Sequence, residues 1–203
     1  MELILSVILA YLLGSISFSY LIAKKIKKVD IRKHGSGNAG ATNTLRVLGV
    51  GPAIAVLALD VIKGIVSVAI AGALAGPGWV PVLAGLAAIL GHNWPIYYGF
   101  RGGKGVATTI GVLASLVFFP ALFAGIIAIA SIFITRMVSL GSLLFVIGTP
   151  VFTIVFLTYY GYPIAYFYLA CIVAVLSVWR HRSNIVRLLK GTESRIGKTG
   201  SNS

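Results

Sequence analysis

Three polar segments of the chain hold the residues that could bind or transform a substrate, and each mixes glycine with hydroxyl, amide and cationic side chains. The first, second and third segments cover 34–46 (HGSGNAGATNTLR), 91–105 (GHNWPIYYGFRGGKG) and 180–197 (RHRSNIVRLLKGTESRIG). Glycine lets the backbone approach a ligand closely, and arginine can bind phosphate oxygens through two parallel hydrogen bonds. Such a gathering of amides, hydroxyls and cations predicts an anion site, for which phosphate is the best match.

The first segment offers several donors ahead of a single cation. The candidate ligands are Ser36, Gly37, Asn38, Thr42 and Arg46. The segment runs into an apolar stretch, so a helix N-terminus there could direct free backbone amides at the anion. The alternative is a solvated loop at the membrane interface, but the regular placement of Ser, Asn and Arg beside a predicted span favours a site.

The second segment places His92 and Asn93 upstream of Gly102, Gly103 and Lys104. It lacks the G-x-x-x-x-G-K-[ST] spacing of nucleotide-binding loops, so it does not predict nucleotide hydrolysis. His92 acts on a substrate or is an interfacial imidazole bonded to backbone, and the residues leave both interpretations open.

The third segment is the most basic of the three, and its alternative role is that of an amphipathic tail on anionic lipid. Its candidate ligands are Arg182, Asn184 and Glu193. Glu193 is one of only four acidic residues in the chain, which suggests that it pairs with a nearby cation.

Two further polar positions lie inside apolar runs. Asp60 and Lys63 are three residues apart on one predicted helical face, and we interpret them as a buried structural pair. Ser142 lies just inside a later span, on the side that carries the basic segments, and we include it as a candidate for substrate binding.

Several classes of site do not fit the sequence. Two aspartates and two glutamates, far apart, provide no carboxylate cluster for Mg²⁺, and no Cys/His set suits zinc. The His-x4-Asp acyltransferase box is also missing. We therefore expect neither a metal ion nor a cofactor.

Composition predicts an all-α integral membrane protein. The chain is 58% apolar and only 10% charged, where a soluble domain carries about 25% charged residues. Nucleic acid is a poor partner, because the basic residues flank membrane spans. We expect one polytopic domain over residues 1–203, with apolar runs of span length at 3–23, 52–74, 79–98, 106–135, 140–157 and 163–179.

The run 106–135 decides the topology. A break into a hairpin at Pro120 gives seven spans, with every Lys and Arg except Lys63 on one side. The opposite loops, at 75–78, 119–120 and 159–163, then carry no Lys or Arg. One long helix instead moves seven basic residues outside. The positive-inside rule favours seven spans, with the N-terminus outside and the C-terminus in the cytoplasm.

Taken together, the strings GSGNAGATN-x-x-R, GHN-x-x-x-x-x-x-F-x-GGKGVAT and HR-x-N-I-x-R-L-x-x-GTE resemble the three motifs of bacterial acyl-phosphate:glycerol-3-phosphate acyltransferases. The resemblance covers nearly the whole chain. It implies transfer of an acyl group from acyl phosphate to sn-glycerol 3-phosphate, giving 1-acyl-glycerol 3-phosphate (lysophosphatidic acid) and phosphate. It also implies a bacterial inner-membrane enzyme that contacts membrane lipid, works as a monomer, and has its site facing the cytoplasm.

Within this resemblance, His92 is a candidate general base for the glycerol hydroxyl, although the substrate's own phosphate could accept that proton. We expect Ser36, Arg46 and Lys104 to act on the reacting groups. The expected substrate-binding residues are Gly37, Asn38, Thr42, Asn43, Asn93, Ser142, Arg182, Asn184 and Glu193. A transporter of a phosphorylated metabolite is the alternative, but it would need a polar path through the bilayer, and only Asp60 and Lys63 are charged deep in a span. A lipid-binding scaffold would not need residues at motif spacing.

Overall fold

The computed structural model describes residues 1–197, and these residues form helices and connecting loops without strands. Ten α-helices follow one another along this range. They are α1 (Glu2–Gly14), α2 (Phe18–Lys27), α3 (Ala41–Leu48), α4 (Val50–Ala75), α5 (Trp79–Asn93), α6 (Val106–Leu116), α7 (Phe118–Thr135), α8 (Val138–Phe156), α9 (Ile164–Arg180) and α10 (Arg182–Leu189), with short 3₁₀ turns at Ile31–Lys33 and Ile96–Tyr98.

The expected all-helical membrane architecture is found in these residues. Five helical stretches are long and apolar enough to cross a bilayer, and α9 with α10 makes a sixth if this pair, bent by 64°, counts as one span. The five are Glu2–Lys27, Val50–Ala75, Trp79–Tyr98, Phe118–Thr135 and Val138–Phe156. The remaining apolar helix, α6, has only 11 residues.

The apolar run 106–135 does break into two helices, but at Val117 rather than at the expected turn at Phe119–Pro120. Val117 leaves the helical conformation, with φ −136° and ψ 63°, and separates α6 from α7. Pro120 lies in the first turn of α7. There its missing N–H removes no hydrogen bond from the helix, so proline starts this helix instead of ending one.

The first segment also departs from expectation, because it does not lead directly into the second apolar span. It ends in the separate helix α3, which is divided from α4 by Gly49. Gly49 has φ +88°, a conformation that favours glycine, and this residue breaks what would otherwise be one continuous helix.

Aromatic and polar contacts between helix ends show which of these ends lie at the same end of the bundle. At one end, the Trp79 ring stacks on Tyr168, and Phe119 stacks on Tyr160 with 4.5 Å between centroids. At the other end, Lys104 contacts the start of α10, and the Ile196 N–H donates to a carbonyl at the end of α7. Helices α6 and α7 therefore both run between these two ends, in opposite directions.

Small residues allow the helices that carry the site to pack closely. A Cβ added at Gly14 or Gly91 would strike the backbone across the α1–α5 contact. A Cβ added at Gly64 or Gly111 would do the same between α4 and α6. Close approach through small residues is typical of helix packing in membranes. It holds four helices around the end of α5, where the second segment begins.

Candidate active site

The three polar segments meet at one end of the helical bundle, and Gly103 lies where they join. A Cβ at Gly103 would strike both the His92 ring and the Ala39 carbonyl, so this position admits only glycine. The Gly103 carbonyl accepts a hydrogen bond of 2.5 Å from Arg180 Nη2. One residue of the second segment therefore contacts both of the others.

Asn43 shapes the loop of the first segment. Its Oδ1 accepts from the Ser36 N–H at 2.8 Å, and its Nδ2 donates to the carbonyls of Ile31 and His34 at 3.1 and 2.9 Å. The side chain is buried, with 1% exposure. Asn43 was expected to contact substrate, but its hydrogen bonds all go to the loop backbone, and this arrangement presents Ser36 at the surface.

The other candidates of the first segment are accessible to a ligand. Ser36, Gly37 and Arg46 are exposed, whereas Asn38 and Thr42 are half-buried. Gly37 has φ +73°, so a left-handed turn directs this part of the loop. Arg46 extends from α3, whose first turn holds Thr42. The segment thus combines a fixed loop with a free hydroxyl and a free guanidinium.

Asn93, in the second segment, is a buried residue whose side-chain amide lacks hydrogen-bond partners. It is fully buried, and neither its Nδ2 nor its Oδ1 has a hydrogen-bond partner within residues 1–197. Gly105, with φ +80°, leaves room for this amide, because a Cβ there would come within 2.7 Å of Asn93 Oδ1. A buried unpaired amide costs about 1–3 kcal/mol, so a ligand that paired it would recover that free energy.

Lys104 joins the second segment to the third through a chain of polar contacts. Its Nζ donates to Asn184 Oδ1, and Asn184 Nδ2 donates to Glu193 Oε1 at 2.8 Å. Arg187 Nε completes the chain by donating to Glu193 Oε2 at 2.8 Å. The expected pairing of Glu193 with a cation is thus found, and its carboxylate is directed at Asn184 and Arg187.

Burial makes Lys104 a weaker base than an ordinary lysine. Burial, followed by the charge of Arg187, lowers its pKa to about 8. The side chain therefore stays mostly charged at neutral pH and loses its proton more readily than an ordinary lysine does. An anion bound beside Lys104 would favour its charged form.

The third segment contributes Arg180 rather than Arg182 to the junction. Arg180 donates to Gly103 and lies 5.1 Å from the Trp94 ring centroid. Arg182 is exposed, and it covers the Trp179 ring at 4.8 Å while donating to the Trp179 carbonyl. The sequence analysis names Arg182, and not Arg180, as a candidate substrate ligand. The Trp94 side chain that holds Arg180 belongs to a distant segment.

Ser142 lies in α8, and its side chain makes no hydrogen bond to the three segments. Its hydroxyl donates to the Val138 carbonyl at 2.9 Å, one turn earlier in the same helix. The residue is buried, with 8% exposure. That the Ser142 hydroxyl binds substrate remains a prediction.

A buried charge cluster lies directly behind the second segment. Lys63 Nζ is 2.8 Å from Asp60 Oδ1 and 3.0 Å from His92 Nδ1, and it donates to the Ile16 carbonyl at 2.8 Å. Ile16 lies in the break between α1 and α2, where its carbonyl has left the regular helical pattern. The expected Asp60–Lys63 pair is confirmed, and it extends to His92, which sequence spacing did not indicate.

A polar cleft of about 530 Å³ opens beside the first and second segments. Its wall includes Lys33 and Arg101, both exposed, and Gly37. Arg32 is held in that wall by two contacts to Asp30, at 2.9 and 2.8 Å, and these lower the pKa of Asp30 to about 2. The cleft carries more positive than negative charge, as an entry for an anionic substrate requires.

The chain resembles known proteins over nearly its whole length. The model of the family described as glycerol-3-phosphate acyltransferase matches residues 4–191. The glycerol-3-phosphate acyltransferase of Halalkalibacterium halodurans is 68% identical over 196 residues, which are 96% of this chain and 95% of the relative. That of Thermoanaerobacter pseudethanolicus is 44% identical over 195 residues, 96% of each chain.

A solved structure extends the similarity to three dimensions. The crystal structure of PlsY (YgiH), an integral membrane glycerol 3-phosphate acyltransferase, in its glycerol 3-phosphate form matches with a TM-score of 0.90 at 42% identity. The match covers 97% of this chain and 96% of that one. With a family match over most of its residues and close relatives of the same length, the chain belongs to the glycerol-3-phosphate acyltransferase family.

Proposed function

We propose that the chain transfers the acyl group of an acyl phosphate to the 1-hydroxyl of sn-glycerol 3-phosphate. The products are lysophosphatidic acid and inorganic phosphate, in the first acylation of phospholipid synthesis. The solved relative in its glycerol 3-phosphate and lysophosphatidic acid forms supports this acceptor and this product. The observation that carries the proposal is the meeting of Lys104, Gly103 and Arg180 beside a cationic cleft.

The chemistry requires charge neutralisation more than covalent catalysis. The glycerol oxygen attacks the acyl carbonyl carbon, the bond from that carbon to the phosphate oxygen breaks, and phosphate leaves. Acyl phosphate is already activated, so no acyl-enzyme is needed. The protein has to bring together two phosphates that repel each other and to stabilise the leaving one. We assign this role to Lys104 and Arg46, with Ser36 as a neutral donor.

The remaining candidates fall into two roles under this proposal. Gly37, Asn38, Thr42 and Asn93 provide donors that are accessible or unpaired. Asn43 holds the loop at Ser36 in place, whereas Asn184 and Glu193 hold Lys104. Of the candidates in the third segment and α8, Arg182 and Ser142 have the least support from their contacts.

An apolar groove supports the binding of a long acyl chain. A groove of about 410 Å³ lies between α1 and α5, and its wall includes Val7, Leu86 and Leu90. Leu90 is two residues from His92, so one end of the groove approaches the second segment. An acyl chain lying there or in the adjacent lipid would keep its phosphate at the polar end.

We further propose seven spans, with the N-terminus outside and the site facing the cytoplasm of a bacterial inner membrane. The distribution of basic residues and the opposite directions of α6 and α7 support this topology. The three segments meet within one chain, which supports a monomer as the working unit.

One assay tests the proposed reaction. Purified protein is given radiolabelled glycerol 3-phosphate with either palmitoyl phosphate or palmitoyl-CoA, and labelled lysophosphatidic acid is measured. We expect product with palmitoyl phosphate only. Product with palmitoyl-CoA alone would reject the proposed donor. Movement of label into liposomes with no product would instead favour a transporter.

A further inference from the structure

The buried lysine behind the second segment determines what the His92 ring can do. A lysine ammonium has three N–H donors and no acceptor. Lys63 donates to the Ile16 carbonyl, lies within hydrogen-bonding distance of His92 Nδ1, and forms an ion pair with the Asp60 carboxylate. With Asp60 Oδ1 at 2.8 Å, the lysine is held in its charged form by an ion pair of ordinary length.

This arrangement fixes the position of the proton on His92. Nδ1 lies 3.0 Å from an ammonium that can only donate, so Nδ1 must accept. The alternative partner for a proton on Nδ1 is Asp60 Oδ1, which is 3.6 Å away and too distant for a hydrogen bond. The neutral imidazole therefore carries its proton on Nε2. Which nitrogen is protonated follows from the bond that the other one makes.

Nε2 is directed at the junction of the three segments. It lies against Gly103, where a Cβ would strike it, and the Ala39 carbonyl borders the same position. His92 has 7% exposure, and its ring makes no hydrogen bond through Nε2 among residues 1–197. A donor without a hydrogen-bond partner at this place is available to a substrate oxygen.

We propose that Lys63 is a positioning residue that holds His92 as a hydrogen-bond donor, so that His92 stabilises charge on a substrate oxygen through Nε2–H. This inference rests on the proposed function for the identity of the oxygen. Asp60 completes the unit by keeping Lys63 charged within an apolar helix.

The position of the proton is tested without any assay of activity. The wild-type protein is labelled with ¹⁵N-histidine, and correlated ¹H–¹⁵N spectra are recorded at neutral pH. His92 is assigned from the signal that is lost in His92→Gln, which separates it from His34 and His181. We expect an unprotonated Nδ1 and a protonated Nε2. A proton on Nδ1, with or without one on Nε2, would overturn the inference even if the acyltransferase reaction is confirmed.

Two isosteric variants separate the roles that His92 could have. Glutamine places an amide donor near the position of Nε2, whereas asparagine places an acceptor near Nδ1 and removes the Nε2 donor. We expect His92→Gln to retain kcat within about tenfold and His92→Asn to lose about 10²–10³-fold, the usual cost of one such donor. Equal, near-complete loss in both would indicate a base. Activity kept only in His92→Asn would indicate that His92 serves as a structural acceptor through Nδ1.

Lys63→Met gives the matching test of the lysine. Without the ammonium, His92 is free to exchange its proton between the two nitrogens, and we expect its spectrum to show a mixture of tautomers. Under the inference kcat falls more than KM for glycerol 3-phosphate changes, because the phosphate ligands are untouched. An unchanged His92 spectrum in folded Lys63→Met would show that the lysine does not set the tautomer.

Discussion

Lys104 changes its charge at a pH not far above neutrality. Its pKa of about 8 lies below the ordinary lysine value, so the free enzyme holds a cation below that pH and loses it above. We expect kcat/KM for glycerol 3-phosphate, which reports groups of the free enzyme, to fall as the pH rises through about 8. Lys104→Arg should have a flat profile over this range, because arginine remains charged. An identical fall in that variant would assign the titration to another group.

Arg46 differs from Lys104 in having no fixed partner, since it is exposed on α3. We expect Arg46→Ala to fold normally and to lose about 10²–10³-fold in turnover, as removal of a charge-stabilising donor does. The measurement is turnover beside thermal melting, with Arg182→Ala as a control that removes a cation from the same face. If Arg46→Ala melts normally and keeps turnover within a few-fold of wild type, Arg46 is not a site residue.

Sequence indicated which residues the three segments bring together better than the contacts that each one makes. That Asn43 and Glu193 bind substrate stays a prediction, and in the structure their side chains bond to the Ser36 N–H and to Asn184. The choice of Arg180 over Arg182 depends on Trp94, and the role of Lys63 depends on His92, each supplied by a distant part of the chain. Spacing along the sequence carries local information only, so contacts between segments could not be read from it.

Among the elements, α4 packs closely on α6 at Gly64, the residue next to Lys63. A Cβ at Gly64 would strike the Thr108 carbonyl, whereas Gly72, in the same helix, has nothing within 4 Å. We expect Gly64→Ala to be destabilising by about 1–3 kcal/mol, as overpacking usually is. Gly72→Ala should leave the melting temperature unchanged or slightly raised, since alanine favours the helix. Thermal melting in detergent compares the two, and equal melting would refute close packing at Gly64.

Helix boundaries show why the elements were predicted well and their ends less so. The spans begin and end within a few residues of the apolar runs, because burial in lipid requires apolar side chains throughout. The sequence predicts a helix break at Pro120, whereas the structure has it at Val117. Proline is compatible with either the interruption or the first turn of a helix, so the residue alone does not fix the position of the break. Pro120 lies in the first turn of α7, and this placement depends on how α7 packs and not on proline itself.

For the whole molecule, the unusual feature is that α6 is too short to cross a bilayer alone. Its 11 residues rise about 16 Å, roughly half of a hydrocarbon core about 30 Å thick. The loop before it includes Gly103 and Gly105, both buried, and extends the path. Non-helical backbone is tolerated at membrane depth where protein covers it. If this loop completes the span that α6 begins, the second segment lies within the membrane boundary, close to an acyl chain.

Under the proposed seven-span topology, we expect the two chain ends to lie on opposite sides of the membrane. A reporter fused after residue 203 should be active in the cytoplasm, and one inserted near Gly78 should be active outside, since the loop at 75–78 carries no Lys or Arg. A fusion at the N-terminus provides the matched control and should report the outside. External readings for both terminal fusions would mean that α6 and α7 do not each cross. The segments around Gly40 and Asn184 would then face different compartments, which their shared contacts through Gly103 and Lys104 do not allow.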